Sequence, residues 1–474
     1  MVYKKLSRNP KVSIQENDSY TGGNMKKKLL IYAHYYAPDT ASTGQILKEL
    51  AEGLLDQFEV TVICVVPSYL GTIEDEYKTK KYYFENINGV NIVRVRVPEF
   101  QKENKLSRIK NILTYFLRAM SATWKVGDQD YILAVSQPPI LGGLLGIWGK
   151  LVKNIYKKNF KHNNRQLSNS SNAIFIYQIQ DFNPEQILAV NYSKYKLITG
   201  LMMWLDKLSC KQADLVITVG RDLVETLQGR FVSKDGSLIR KMPKVALINN
   251  WIDENEIYPL EKTHPGIINF KKKYGLIDKF IIMYSGNIGL YYDLEELIKV
   301  IKKFKPGTFT AASIEYPKGK EVVFAFVGAG TVLDKLRCYV KSNNMYNVVF
   351  IPYQKKEDLI YSLNAGDVHW CVNAKGIKGV SCPSKYYGLV ACGKPILGVL
   401  EKGSEVRYLI EETSGGLVCD PEDYKKVEEN IRWFIENADN TVVLEMGRRG
   451  REYLLRELTR KKSIFKYAEE ILKL

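Results

Sequence analysis

Residues 29–66 read LLIYAHYYAPDTASTGQILKELAEGLLDQFEVTVICVV, and their grammar decides the fold. The run "LLIYA" (Leu29–Ala33) is unbroken and apolar, as expected of a strand covered on both faces. "GQILKELAEGLLDQF" then sets Ile46, Leu47, Leu50, Leu54 and Leu55 on one helical face. "VTVICVV" (Val60–Val66) returns to a strand. Strand, helix and strand in that order imply a parallel sheet with helices on both faces.

Outward from this unit the alternation continues. "VNIVRVRV" (Val90–Val97), a basic helix around Arg108–Lys125, "YILAVS" (Tyr131–Ser136), "IFIYQIQD" (Ile174–Asp181), "LVITVG" (Leu215–Gly220) and "VALINN" (Val245–Asn250) follow. The pattern restarts at Phe280 with "FIIMYSGN", "VVFAFVGAG", "VVFIPY", "VHWCVNA" and "PILGVL", five strands separated by helical segments. The polar stretch Asn249–Gly266, with two prolines, marks a boundary. The expectation is α/β, with a first doubly wound domain over 25–255 and a second over 256–456. A final helix within 457–474 ends the chain. Residues 1–24 are polar with no apolar run, and read as a flexible extension rather than a signal peptide. The basic stretch Lys153–Asn172 reads as a surface loop, either a solvated insertion or a contact for an anionic surface.

The bulk numbers limit the partners. A chain of 474 residues exceeds one ordinary core. Its net charge of +17 favours anionic partners: nucleic acid, phosphorylated small molecules or an acidic membrane. Seven cysteines without a CxxC pair argue against a disulfide framework or a zinc site, and for a reducing compartment. The apolar run from Ile140, interrupted by Lys150, is too short to span a bilayer and reads as a buried helix.

Ligands of doubly wound sheets bind at the carboxyl ends of strands, so the loops there carry the candidates. In the first domain "HYYAPDTASTGQ" (His34–Gln45) is small and polar, and its Gly44 lets a ligand approach the backbone. "QDFNPE" (Gln180–Glu185) places Asp181 either toward the cleft or as a cap for the next helix. In the second domain "SGNIG" offers Ser285, Gly286 and Asn287, and "GAG" offers Gly328 and Gly330. "GVSCPSKYYGLVACGKPIL" (Gly379–Leu397) offers Ser381 and Ser384 as caps, Pro383 as a helix starter and Lys385 in the first turn. A lysine there opposes the helix dipole unless both address one anion such as a diphosphate; the alternative is an exposed lysine that tolerates a small penalty.

Two features read as decoys. "DQD" (Asp128–Asp130) matches a metal–nucleotide pattern but precedes a strand, at the wrong end of the sheet, and reads as a turn. His34, His162, His264 and His369 lack ligand spacing, so no metal and no cofactor are expected.

Taken in order, these pieces resemble retaining glycosyltransferases of the GT-B fold, family four, in the bacterial surface-polysaccharide branch with a Pro-Ser-Lys pattern. The resemblance covers almost everything from Met25 onward. "YYAPDTASTGQILKELAEGLLDQFEVTVIC", "QDFNPE", "KVALINNWIDENEIYP", "MYSGNIGLYYDLEELI", "FVGAGTVLDKL", "GVSCPSKYYGLVACGKPILG" and "EKGSEVRYLIEETSGGLVCDPED" carry it. It implies two Rossmann-like domains facing a cleft and a last helix that crosses back to the first domain. A nucleoside-diphosphate sugar, expected to be UDP-linked, is held mainly by the second domain, with Tyr353 among the donor contacts. A glycan or lipid-diphosphate-linked acceptor lies on the first domain, with Asp181 or His34 positioning the acceptor or the sugar.

The chain departs from the broad family where that family carries two glutamates separated by seven residues. Val380 and Gly388 stand there instead. The diphosphate-binding arginine and lysine of the family are also missing from "SGNIGLYYD". Lys385 is the expected replacement for that charge, and Glu405 for the ribose contact. The resemblance further implies transfer with retention at the anomeric carbon and no metal, in the cytoplasm or on the inner face of the cell membrane. The basic, aromatic helix Arg108–Lys125 is either an anionic-membrane contact or an ordinary amphipathic helix. The alternatives are a GT-B-like epimerase, a phosphorylase, for which no cofactor-lysine pattern is seen, and a non-enzymatic nucleotide or nucleic-acid binder, although no RNA-recognition motif occurs.

Overall fold

The computed structural model describes residues 26–39, 42–101, 104–163, 172–189, 196–232, 242–308, 310, 313–314 and 321–474. The extension expected over 1–24 lies outside them. Among the described residues the chain forms two sheets.

The first sheet holds β1 (Lys27–Tyr32), β2 (Phe58–Val65), β3 (Tyr82–Ile87), β4 (Val90–Val95), β5 (Tyr131–Val135), β6 (Ile174–Ile179), β7 (Leu215–Thr218) and β8 (Lys244–Leu247). Its order is β3-β4-β2-β1-β5-β6-β7-β8. All neighbours are parallel except β3 and β4. That pair is a hairpin the sequence reading passed over. Its turn is Asn88–Gly89, both with positive φ, which matches the primed turns that suit strand twist. The Asn-Gly pair was the available signal.

The second sheet holds β9 (Phe280–Ser285), β10 (Val322–Val327), β11 (Val348–Ile351), β12 (Val368–Val372), β13 (Ile396–Val399) and β14 (Gly416–Cys419). Its order is β11-β10-β9-β12-β13-β14, parallel throughout. Five of these strands were expected. The sixth, β14 (GLVC), is half-buried and offers three apolar residues after a glycine pair, so no strong apolar run announces it.

The first domain's helices cover both faces of its sheet. α1 (Ser42–Gly53) packs on one face. α2 (Lys105–Thr123), α3 (Leu141–Asn163) and α5 (Lys196–Gln212) pack on the other, with α3 between the other two. α4 (Asn183–Ala189) and α6 (Arg221–Gly229) follow β6 and β7. The loop expected at Lys153–Asn172 needs correction: the helix runs on to Asn163, and residues 164–171 lie outside the described part. Lys153 explains the continuation. Its ammonium is buried under the helix and donates to the carbonyls of Thr123 and Val126 at 2.6 and 2.5 Å. The "DQD" stretch is a turn at the amino end of the sheet, where Asp130 accepts from the Lys28 amide at 2.9 Å.

The final helix, Arg460–Leu472, returns to the first domain. Ile464, Tyr467, Ala468 and Ile471 join Leu47, Leu50 and Trp251 in one buried cluster. Gln178 of β6 donates to the Tyr467 hydroxyl at 2.5 Å, and the Tyr467 ring lies edge-on to Trp251. Tyr467→Ala empties this seam and strands Gln178. It is expected to cost about 4 kcal/mol, read as an earlier denaturation midpoint with an unchanged far-ultraviolet dichroism spectrum.

Candidate active site

The loops after β9 and β10 interlock through their backbones. The Gly286 amide donates to Val327, and the Ile288 amide to Ala329, both at 2.9 Å. Gly286 and Gly328 each adopt φ +145°, a region that favours glycine. A Cβ on Gly328 would lie 1.9 Å from the Gly286 carbonyl oxygen, and one on Gly330 2.2 Å from that of Ile288. These glycines are therefore required by loop-on-loop packing. Ser285 ends β9, and the Asn287 carbonyl accepts from the Tyr284 hydroxyl at 2.5 Å. In the first domain a Cβ on Gly44 would lie 3.1 Å from the Tyr35 carbonyl oxygen, so this glycine seats α1 against the loop after β1.

Lys385 stands beside these loops. It opens the helix Lys385–Ala391, which follows the loop after β12. Its ammonium donates to the Tyr284 hydroxyl at 2.9 Å and lies 3.8 Å from the centroid of Tyr292. Gly286 flanks its stem. Burial pushes the ammonium down to about 8, and among the described residues no carboxylate pairs with it. Tyr284 and Tyr292 were not anticipated. Tyr292 lies in "SGNIGLYYD", where only the missing arginine and lysine had been noted.

The cap expectations need correction. Ser384 sits at the N-cap position with helical backbone and makes no side-chain cap bond. Pro383 is buried just before it. Ser381 bonds across the domain boundary instead: it pairs with Asp181 as an isolated antiparallel bridge, and its side chain holds the Asp181 carboxylate. Burial raises the Asp181 carboxyl, and the Ser381 bond partly offsets that. The Asp181 charge in turn helps burial push the Tyr292 phenol up to about 12. Asp181 thus joins the Lys385–Tyr292 cluster from the opposite domain.

A backbone pair and a carboxylate fix this alignment. The Phe182 amide donates to the Val380 carbonyl, and the Gly379 amide to Asp222, each at 2.8 Å. Glu405, expected at the ribose, has other partners. Its carboxylate is 1% exposed and accepts from the Arg221 amide at 2.8 Å, the Arg221 guanidinium at 3.1 Å and Asn249 at 2.9 Å. It joins the second domain to the first and does not open on the cleft. His34 ends up buried behind the cleft between the rings of Tyr35 and Tyr115. Burial pushes it down to about 3, so the imidazole is neutral, and its Nε2 has no partner. Tyr353, after β11, is fully in solvent reach at 75% exposure. His369 is a core residue of β12, bonded to the Leu363 carbonyl at 2.9 Å. His162 lies in α3 beyond the residues whose side chains are described. Among the described residues no group of three or more His, Cys, Asp or Glu is placed to hold a metal ion.

Two Rossmann-like domains whose loops meet across a cleft define the GT-B class. Residues 267–453, within the second domain, match the family model "Glycosyl transferases group 1". The chain is 25% identical over 337 residues to "Probable glycosyltransferase WbjE" of Pseudomonas aeruginosa, covering 69% of this chain and 72% of that one. It is 24% identical over 446 residues to "Putative colanic acid biosynthesis glycosyl transferase WcaI" of Escherichia coli, covering 91% and 98%. In fold it is similar to Anabaena Alr3699/HepE, solved with UDP and glucose, with a TM-score of 0.62 at 12% identity over 94% of this chain and 100% of that one.

If Glu405 ties the domains together, Glu405→Ala lowers stability by about 2 kcal/mol, because it leaves the Arg221 amide unpaired and removes one of the two bonds of the Asn249 amide. Binding of UDP then changes little once the protein is folded. Calorimetric melting with and without UDP separates this outcome from a ribose contact, which would lose affinity instead.

Proposed function

We propose that the protein transfers a sugar from a nucleoside diphosphate, UDP being the expected carrier, to a hydroxyl of a glycan or lipid-linked acceptor in surface-polysaccharide synthesis. The observation that carries this reading is Lys385. A half-buried ammonium held by two tyrosines, with no carboxylate on it, is a site waiting for an anion. The matched family, the relatives' names and the UDP held by the Anabaena protein point to the same ligand class.

As the bond between the anomeric carbon and the diphosphate breaks, negative charge grows on the leaving phosphate. Lys385 neutralises it, with the Ser285–Asn287 loop beside it. The tyrosines fix the ammonium before reaction, so little reorganisation is needed. Asp181, facing the same cluster from the first domain, orients the acceptor or the sugar. His34 is neutral and offers a hydrogen bond rather than a charge. Transfer with retention, the leaving phosphate taking the acceptor proton, needs no dedicated base and no metal.

Lys385→Ala is expected to lower kcat about 100- to 1,000-fold, with the melting temperature near that of the parent. Steady-state assay of UDP release measures it, and an unchanged rate would remove the assignment.

The pH dependence follows from the lowered ammonium. Below about 8 Lys385 is charged and contributes to diphosphate binding; as pH rises through that value the free protein loses the charge. Kd for UDP is therefore expected to climb toward tenfold per pH unit above about 8. The Lys385→Arg protein, charged throughout, should show a flat profile by titration calorimetry.

A further inference from the structure

We propose that Gln45 reads the donor sugar. Its side-chain oxygen accepts from a hydroxyl of the sugar carried on the nucleoside diphosphate, and Glu49 is the positioning residue that aims it. The inference rests on the sugar-transfer reading and adds to it a contact from the first domain.

Glu49, midway along α1, is 9% exposed, and among the described residues no cation pairs with its carboxylate. Two neutral groups donate to it instead. The Trp251 indole N–H reaches one oxygen at 2.7 Å, and the Gln45 side-chain nitrogen reaches the other at 2.6 Å. Burying a charge among neutral donors costs free energy that a glutamine of the same shape would not incur. What the carboxylate alone supplies is acceptance without donation. Both neighbours must therefore donate. With its amide nitrogen fixed on Glu49, Gln45 turns its amide oxygen away from that carboxylate. Among the described residues no group donates to this oxygen, and Gln45 is half-buried. An acceptor held in one orientation with no partner is prepared for a ligand donor, and little ordering is left for the ligand to induce.

The neighbours place Gln45 at the cleft. It follows Gly44 in the first turn of α1, beyond the carboxyl end of β1. Trp251 lies in the segment that leaves β8, and the two residues before it face the domain joint. Asn249 donates to Glu405 at 2.9 Å and Asn250 to the Gln180 side chain at 2.7 Å. Gln180 precedes Asp181, which pairs with Ser381 just ahead of Lys385. The segment Asn249–Trp251 thus ties the anchor of Gln45 to the joint that sets Asp181 against Lys385. A diphosphate on Lys385 leaves its sugar between the domains, where hydroxyls need partners as water is excluded. A carbonyl oxygen suits such a hydroxyl and not the diphosphate, whose ionised oxygens only accept.

The test is titration calorimetry of the full chain with UDP, UDP-glucose, UDP-galactose and UDP-N-acetylglucosamine. The parent is expected to prefer one of the three sugars. Gln45→Ala should weaken binding of that nucleotide sugar about five- to tenfold, the loss of one hydrogen bond, while Kd for UDP stays at the parent value. The amide in Glu49→Gln can donate to Gln45 and turn its side chain over. This variant should weaken the same nucleotide sugar about threefold and melt near the parent. If Glu49 served only the fold, Glu49→Gln would move the melting temperature and leave the sugar preference intact, which removes its positioning role. Unchanged sugar affinity in Gln45→Ala, an equal loss for UDP, or a parent that binds UDP but ranks the three sugars alike would each overturn the proposal. A parent that binds neither UDP nor any of the sugars would instead remove the sugar-transfer reading, and this proposal with it.

Discussion

The structure depends on how the first domain grips the backbone at 379–381. Phe182 donates to Val380, Asp222 accepts from Gly379 and Asp181 pairs with Ser381. These contacts, two along the main chain and one to the Asp222 carboxylate, join residues more than 150 positions apart. They fix the segment that leads directly into Lys385. A shift of either domain therefore moves Asp181 against Lys385, Tyr284 and Tyr292, which all lie in the second domain. Glu405 reinforces the joint from a second point, and the Arg221 guanidinium, stacked 3.9 Å from the Tyr408 ring centroid, holds that point in place. Domain alignment thus sets where Asp181 meets the lysine and its two tyrosines.

Within the second domain the same economy applies. Its two glycine-rich loops are backbone against backbone, and any side chain at Gly328 or Gly330 would push them apart. Their close approach brings Gly286 beside the lysine stem. The glycines therefore shape the site indirectly: they set the distance between β9 and the helix that starts at Lys385. A glycine pattern that reads as a phosphate cradle serves first to let two loops share one space.

This explains what the sequence disclosed and what it withheld. The alternation of apolar runs and helical stripes exposed the sheets and their parallel order, because strands buried on both faces must be continuously apolar. β14 and the β3–β4 hairpin escaped it, the first because it is half-buried and lacks a strong apolar run. The second is signalled by its Asn88–Gly89 turn rather than by a continuous apolar run. In sequence Lys385 and Asp181 stand out as candidates because each follows a strand's carboxyl end, Asp181 soon after β6 and Lys385 at the start of a helix. Glu405 was misread because a carboxylate near the cleft looks the same in sequence whether it meets a ribose or an arginine from the other domain. Tyr284 and Tyr292 were hidden because tyrosines within or near apolar runs look like core.

Lys385 shows why a cation is worth placing where a helix dipole opposes it. Burying an ammonium costs free energy unless something compensates. Pairing it with a carboxylate would remove that cost but also quench the charge. The protein instead gives it a hydroxyl and two ring faces, which hold it in place and leave its charge unneutralised. The unrelieved cost appears as an ammonium lowered to about 8. An incoming diphosphate relieves that cost and the conflict with the dipole at once, so part of its binding free energy is strain already present in the empty site.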